Sequence, residues 1–180
     1  MTKRVRTGMI LSVALMAAQI SLAGNQAADP AETKIEQQVR RSLVTLPFYN
    51  LFDSFSFRVD GDAVTLMGKV TRPTLKSDAD NVVRKIEGVR MVNNQIEVLP
   101  LSPNDDRLRL SLYRAIYGHT VLQTLAVRAV PPIHILVKNG NVTLEGAVAN
   151  SMEKTIAGMQ ANSVSGVFSV TNNLLVDDAD

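Results

Sequence analysis

Between residues 54 and 70 apolar positions alternate with polar ones. Phe55, Phe57 and Val59 are separated by Ser56 and Arg58, and Val64, Leu66, Gly68 and Val70 continue the alternation beyond Asp60-Gly61-Asp62. A period of two marks strands with one buried face, and the short Gly-containing break suits a hairpin turn. The flanking segments change period. Ile35, Val39 and Leu43 lie four apart on one helical face, and Pro47 ends that run. Leu75, Ala79, Val82, Val83 and Ile86 form the apolar stripe of a second helix, opened by Pro73. Gly88 stands where a left-handed helix stop is expected. Val92, Asn94, Ile96 and Val98 then alternate through a last strand. The predicted order is helix, strand, strand, helix, strand.

The same order recurs. Asp105 or Asp106 is expected to cap a helix striped by Leu108, Leu112 and Ile116. Ile133, Ile135 and Val137 take the places of Phe55, Phe57 and Val59. Asn150 with Glu153 resembles a capping box for a helix whose apolar side is Ile156, Ala157, Met159 and Ala161, with Gly166 at its end and Val170 to Val176 as the last strand. Both hairpins read Val-Thr-Leu-x-Gly-x-Val, and a constant shift of 78 positions carries 59–98 onto 137–176 without a gap. The chain is one module used twice, an α+β protein of two tandem αββαβ units. The first unit is placed at 33–100, a proline-bearing linker at 101–104 and the second unit at 105–177. Two prolines in Leu99–Asn104 predict a stiff spacer. Modules of about 70 residues bury only about 60% of their unfolded surface, so each is modestly stable.

The first 23 residues read differently. Lys3, Arg4 and Arg6 precede an apolar run from Gly8 to Ile20, and Ser21-Leu22-Ala23 offers the small residues of a cleavage site. This is the pattern of a secretory signal, and residues 24–32 read as a flexible tail. The apolar run is shorter than the roughly 20 residues a spanning helix needs. The leader holds three of the 19 basic residues and none of the 17 acidic ones, so the remaining chain carries 16 against 17, or −1. A nucleic-acid partner therefore loses its electrostatic support. Cysteine is absent, which removes disulfides, thiolate chemistry, Cys-based zinc sites and a lipidated cysteine after the leader. A soluble, secreted, periplasmic protein is expected.

No phosphate loop, dinucleotide fingerprint, nucleophile elbow or His-Glu-x-x-His motif occurs, and no enzyme, cofactor, metal or small-molecule substrate is expected. Alternation puts His134 on the face opposite Ile133 and Ile135, and His119 follows a helix end, so both read as structural. Asp60-Gly61-Asp62 lacks the ligand run of a calcium loop and reads as a turn. Asn94 and Asn172 occupy inward strand positions and should satisfy buried main-chain groups. Phe48-Tyr49-Asn50-Leu51-Phe52 reads as a lid over a small core, with an exposed adhesive loop as the alternative. The helix from Arg107 to Tyr117 carries Arg109, Leu110, Tyr113, Arg114 and Tyr117, a set that suits a lipid headgroup boundary or a protein contact. The alternative use for these side chains is to cover the core or pack on the first module.

The hairpin, the helix after it and the endings Gly88-Val89-Arg90-Met91-Val92-Asn93-Asn94 and Gly166-Val167-Phe168-Ser169-Val170-Thr171-Asn172 resemble the BON domain (bacterial OsmY and nodulation). The resemblance implies two helices packed on a three-stranded mixed sheet in each module. It also implies a periplasmic role in envelope integrity or osmotic stress, by contact with phospholipid. Gly68, Gly88, Gly146 and Gly166 match the glycines of the pattern and are assigned to backbone geometry. The expected partner is an anionic phospholipid surface, met peripherally, or an envelope protein by way of the aromatic segment or an open sheet edge.

Overall fold

The computed structural model describes residues 30–128 and 130–177; the expected leader lies outside them. The first module runs α1 (Pro30–Val44), β1 (Ser54–Asp60), β2 (Ala63–Val70), α2 (Pro73–Val83), β3 (Met91–Asn94) and β4 (Glu97–Val98). The second runs α3 (Pro103–Tyr117), a 3₁₀ turn (Gln123–Val127), β5 (Ile133–Lys138), β6 (Asn141–Val148), α4 (Ser151–Asn162), β7 (Ser169–Asn172) and β8 (Leu175–Val176). In each, the second strand is central. It pairs antiparallel with the first strand and parallel with the last two, giving the expected mixed sheet.

The expected final strand is broken in both modules, so each sheet has four strands rather than three. Asparagine is the cause. Asn94 Nδ2 donates to the Lys76 carbonyl at 2.8 Å and its Oδ1 accepts from Ile96 N at 3.2 Å; Asn172 does the same with Lys154 and Leu174. A side chain that binds the main chain two residues on bends the strand and ties it to the helix above.

The helices cover one sheet face, and each module has its own core. Leu43, Leu66, Leu75, Ala79 and Ile96 are sealed in the first; Leu112, Ile116, Ile135, Leu144 and Leu174 in the second. Full burial of such a side chain contributes roughly 1.5–3 kcal/mol.

Four local expectations are corrected. The cap of α3 is Ser102, whose side chain accepts from Asp105 N, and the helix starts at Pro103. Asp105 turns inward instead and receives Asn139 N and Gly140 N at the β5–β6 turn. Met159 is exposed, and Gly158 takes the buried position beside Asn172. Helix α2 stops at Val83, so Gly88, at φ +94, serves the turn after it. Helix α1 begins at Pro30, inside the expected tail. The capping box at α4 forms: Asn150 accepts Glu153 N, and Glu153 accepts Ala149 N.

The modules dock through the aromatic segment. Leu51 and Phe52 pack against the second core rather than their own, and Leu51 O accepts Ile135 N at 2.8 Å. Tyr49 stacks between Phe55 and His134, with centroids at 5.1 and 5.8 Å. Ser54 Oγ donates to Glu145, and Lys138 pairs with Glu97.

Candidate contact surface on the second module

Helix α3 divides its residues sharply between structure and surface. Arg109 and Tyr117, expected among the contacting residues, are 4% exposed. Tyr117 Oη accepts Ile133 N and donates to Ile133 O at 3.0 and 2.7 Å, while Arg109 donates to Val137 O at 2.7 Å and to Asp106. With Leu51 O on Ile135 N, these bonds take up Ile133 N and O, Ile135 N and Val137 O, outer main-chain groups of β5 that an edge strand leaves open. The role is physical and local: both side chains close an edge, and burial takes them out of the exposed surface. Burial also raises the Tyr117 hydroxyl above its ordinary pKa. A tyrosine eight residues after an arginine, on a helix running beside an edge strand, was the available signal. Read as amphipathic surface residues, the two gave no hint of it.

What remains outward is a stripe of Arg107, Leu110 and Arg114, with Leu110 50% exposed, Tyr113 half-buried beside it and the Asp106 carboxylate, paired with Arg109, exposed at the same face. Spacing of three and four places these side chains on one helical face. Tyr113 leans on Tyr117, with ring centroids 5.3 Å apart. A leucine between two arginines, with a phenol at its flank, combines an apolar tip with cationic heads.

Module one lacks the matching features. Aligning Ile35 with Leu108 puts Glu36 and Val44 where Arg109 and Tyr117 stand. Among the described residues no side chain bonds the outer main chain of β1. Phe55 and Phe57 are only half-buried, whereas Ile133 and Ile135 are sealed, and the Arg40 guanidinium sits 5.8 Å from the Phe57 ring. Phe48, at φ +69 and 66% exposed, lies under Arg72.

A cleft of about 580 Å³ lies at the α3 N-terminal half, between it, the β5–β6 turn and the turn before β7; Asp105, Arg107, Asn139, Gly166 and Phe168 line it. His134 sits at the module interface. Burial lowers its pKa, against the carbonyls of Asp53 and Asn50 and the carboxylates of Glu145 and Asp53, which favour the charged ring. His119 accepts Val121 N in the turn after α3. Gly68 and Gly146 stand at φ +121 and +117 opposite the start of the first strand in each hairpin. Among the described residues, no group of three or more His, Asp or Glu is placed to hold a metal, and no helix is long and apolar enough to cross a membrane.

The family model of the BON domain matches residues 31–100 and 119–178. No curated protein sequence matches the chain. Among solved structures, the C-terminal domain of CdsD, a structural protein of the type III secretion system of Chlamydia trachomatis, is similar at 15% identity and TM-score 0.27, over 78% of this chain and 96% of that one. A second CdsD structure gives 16% and 0.29, over 81% and 94%.

Proposed function

The chain belongs to the BON domain family, and from that premise we propose that it is a non-enzymatic envelope protein that rests peripherally on anionic phospholipid through the outward side of α3. BON domains are binding modules, known for phospholipid contact or protein interaction. The observation that carries the reading is the Arg107–Leu110–Arg114 stripe with Tyr113, left outward beside an Asp106 carboxylate that Arg109 pairs, while Asp105, Arg109 and Tyr117 are buried. Arginine and tyrosine at an apolar tip suit the headgroup boundary, where stems and rings bury and polar ends stay wet. The near-neutral charge after removal of residues 1–23 makes the contact weak and reversible. Periplasmic location through the cleaved leader, and a part in envelope integrity or osmotic-stress tolerance, belong to the same proposal.

The test is co-sedimentation of residues 24–180 with phosphatidylglycerol and phosphatidylcholine vesicles at low and high salt. Binding to the anionic vesicles that salt weakens is expected. No binding, or equal binding to both lipids, overturns the reading. One observation favours a protein partner as the second reading: the uncapped outer edge of β1, beside half-buried Phe57, can accept an added strand. That reading predicts a stoichiometric partner from periplasmic extract.

A further inference from the structure

The two modules differ at one matched spot. In the first, Arg90 faces Asp62 across the turn, with Nε and Oδ2 3.5 Å apart. The matched residues of the second are Phe168 and Gly140. One main-chain bond is kept, since Arg90 N donates to Asp62 O and Phe168 N to Gly140 O, both at 2.8 Å, while the turn differs, with Gly140 at φ +77 where Asp62 has no positive φ. The second module thus keeps this bond, loses the ion pair beside it and gains an aromatic ring that is 84% exposed. The 580 Å³ cleft begins at this place, a volume within the roughly 300–1,000 Å³ of small-molecule sites.

The chemistry of the lining narrows the ligand. Asp105 borders the cleft with its carboxylate already accepting Asn139 N and Gly140 N. Two of the α3 amides that an anion would seek are also taken: Asp105 N by Ser102 Oγ and Asp106 N by Ser102 O. Arg107 spends one guanidinium N–H on Asn104 Oδ1 and keeps the others. An anion would meet Arg107 but also the buried Asp105 carboxylate, whereas a neutral ligand is not opposed by that carboxylate and can still take the remaining Arg107 donors. The lining also offers the carboxamides of Asn104 and Asn139 and the hydroxyls of Ser111 and Ser165, beside a free aromatic face. Amides and hydroxyls next to an exposed ring match a molecule with vicinal hydroxyls on its rim and C–H bonds on its face.

We propose that this cleft binds a neutral glycan, with one sugar ring stacked on Phe168 and its hydroxyls bonded to Asn104 and Asn139. The site shares Arg107 with the lipid contact, but its ring and Asn139 come from the turns before β7 and between β5 and β6, not from the outward stripe of α3.

The test is titration of the ¹⁵N-labelled protein with maltotriose and with tri-N-acetylchitotriose, followed by amide shifts. One of the two should move Asn139, Gly140 and Gly166 saturably, and Phe168→Ala should weaken that binding about tenfold, the cost of one aromatic contact. Phe168 is exposed, so this variant keeps its fold, as an unchanged amide spectrum elsewhere would verify. Phe48→Ala, at the exposed phenylalanine of the first module, should change nothing. Absence of shifts with both sugars overturns the proposal, and so does sugar binding that Phe168→Ala leaves intact. Loss of vesicle binding in Phe168→Ala, without a sugar titration in the parent, would overturn it and assign the ring to the membrane.

Discussion

Gly68 and Gly146 show how one missing atom holds a hairpin. At φ +121, a Cβ on Gly68 would lie 2.1 Å from Ser54 O; at φ +117, one on Gly146 would lie 1.9 Å from Pro132 O. Gly61 has positive φ too, but open space around it. Gly68→Ala and Gly146→Ala should each therefore cost more than about 2 kcal/mol, by clash added to strain, while Gly61→Ala should cost about 1 kcal/mol. Urea unfolding checks the order, and equal costs would contradict it. Asn94→Ala and Asn172→Ala should each cost about 1–3 kcal/mol by orphaning buried main-chain groups. These residues were legible in the sequence because the repeat displayed each twice. Asp105 was not: its inward turn depends on a hairpin 34 residues away, and a cap was the only local reading of an acid at that place.

Helix α3 carries two jobs on adjacent faces, and substitutions should separate them. Tyr117→Phe removes both bonds to Ile133 and should lower stability by about 1–3 kcal/mol without touching vesicle binding. Leu110→Ser with Arg114→Gln should do the reverse: an unchanged melting temperature with weakened binding. Thermal melts beside co-sedimentation give both readouts, and a Tyr117→Phe protein that is stable but fails to bind vesicles would break the division. The apolar stripe Leu108, Leu112 and Ile116 was plain from its period. The fate of Arg109 and Tyr117 was hidden, because periodicity tells inward from outward and says nothing of a side chain that reaches round to a strand edge. The broken last strand escaped for a related reason. Alternation from Val92 to Val98 is continuous in sequence, and the interruption comes from a side-chain bond to Lys76.

Across the whole molecule, His134 links acidity to module docking. Its imidazole stacks on Tyr49, its Nδ1 is buried without a partner among the described residues, and burial holds its pKa below the ordinary 6.5. The charged groups facing it are the carboxylates of Asp53 and Glu145. Tyr49, pushed up to about 12 chiefly by burial, stays neutral. A depressed pKa means that docking is fully supported above pH 6.5. Below it the undocked ring takes up a proton that the docked ring resists, so docking weakens as pH falls toward the lowered pKa. Energy transfer between dyes on the two modules should drop across that window, and His134→Gln should flatten the dependence; an unchanged curve in that variant would contradict the assignment. The tandem architecture was readable from the repeat, but the docking was not, because Tyr49 and Leu51 contact residues more than 80 positions away. The account rests most on the outward face of α3. Its direct test compares phosphatidylglycerol co-sedimentation of the parent with Arg107→Gln/Leu110→Ser/Arg114→Gln on α3 and with Arg40→Gln/Arg41→Gln on α1. Binding lost only in the α3 variant is the predicted result; loss in the α1 variant with the α3 variant still bound would place the contact on the first module and contradict the account.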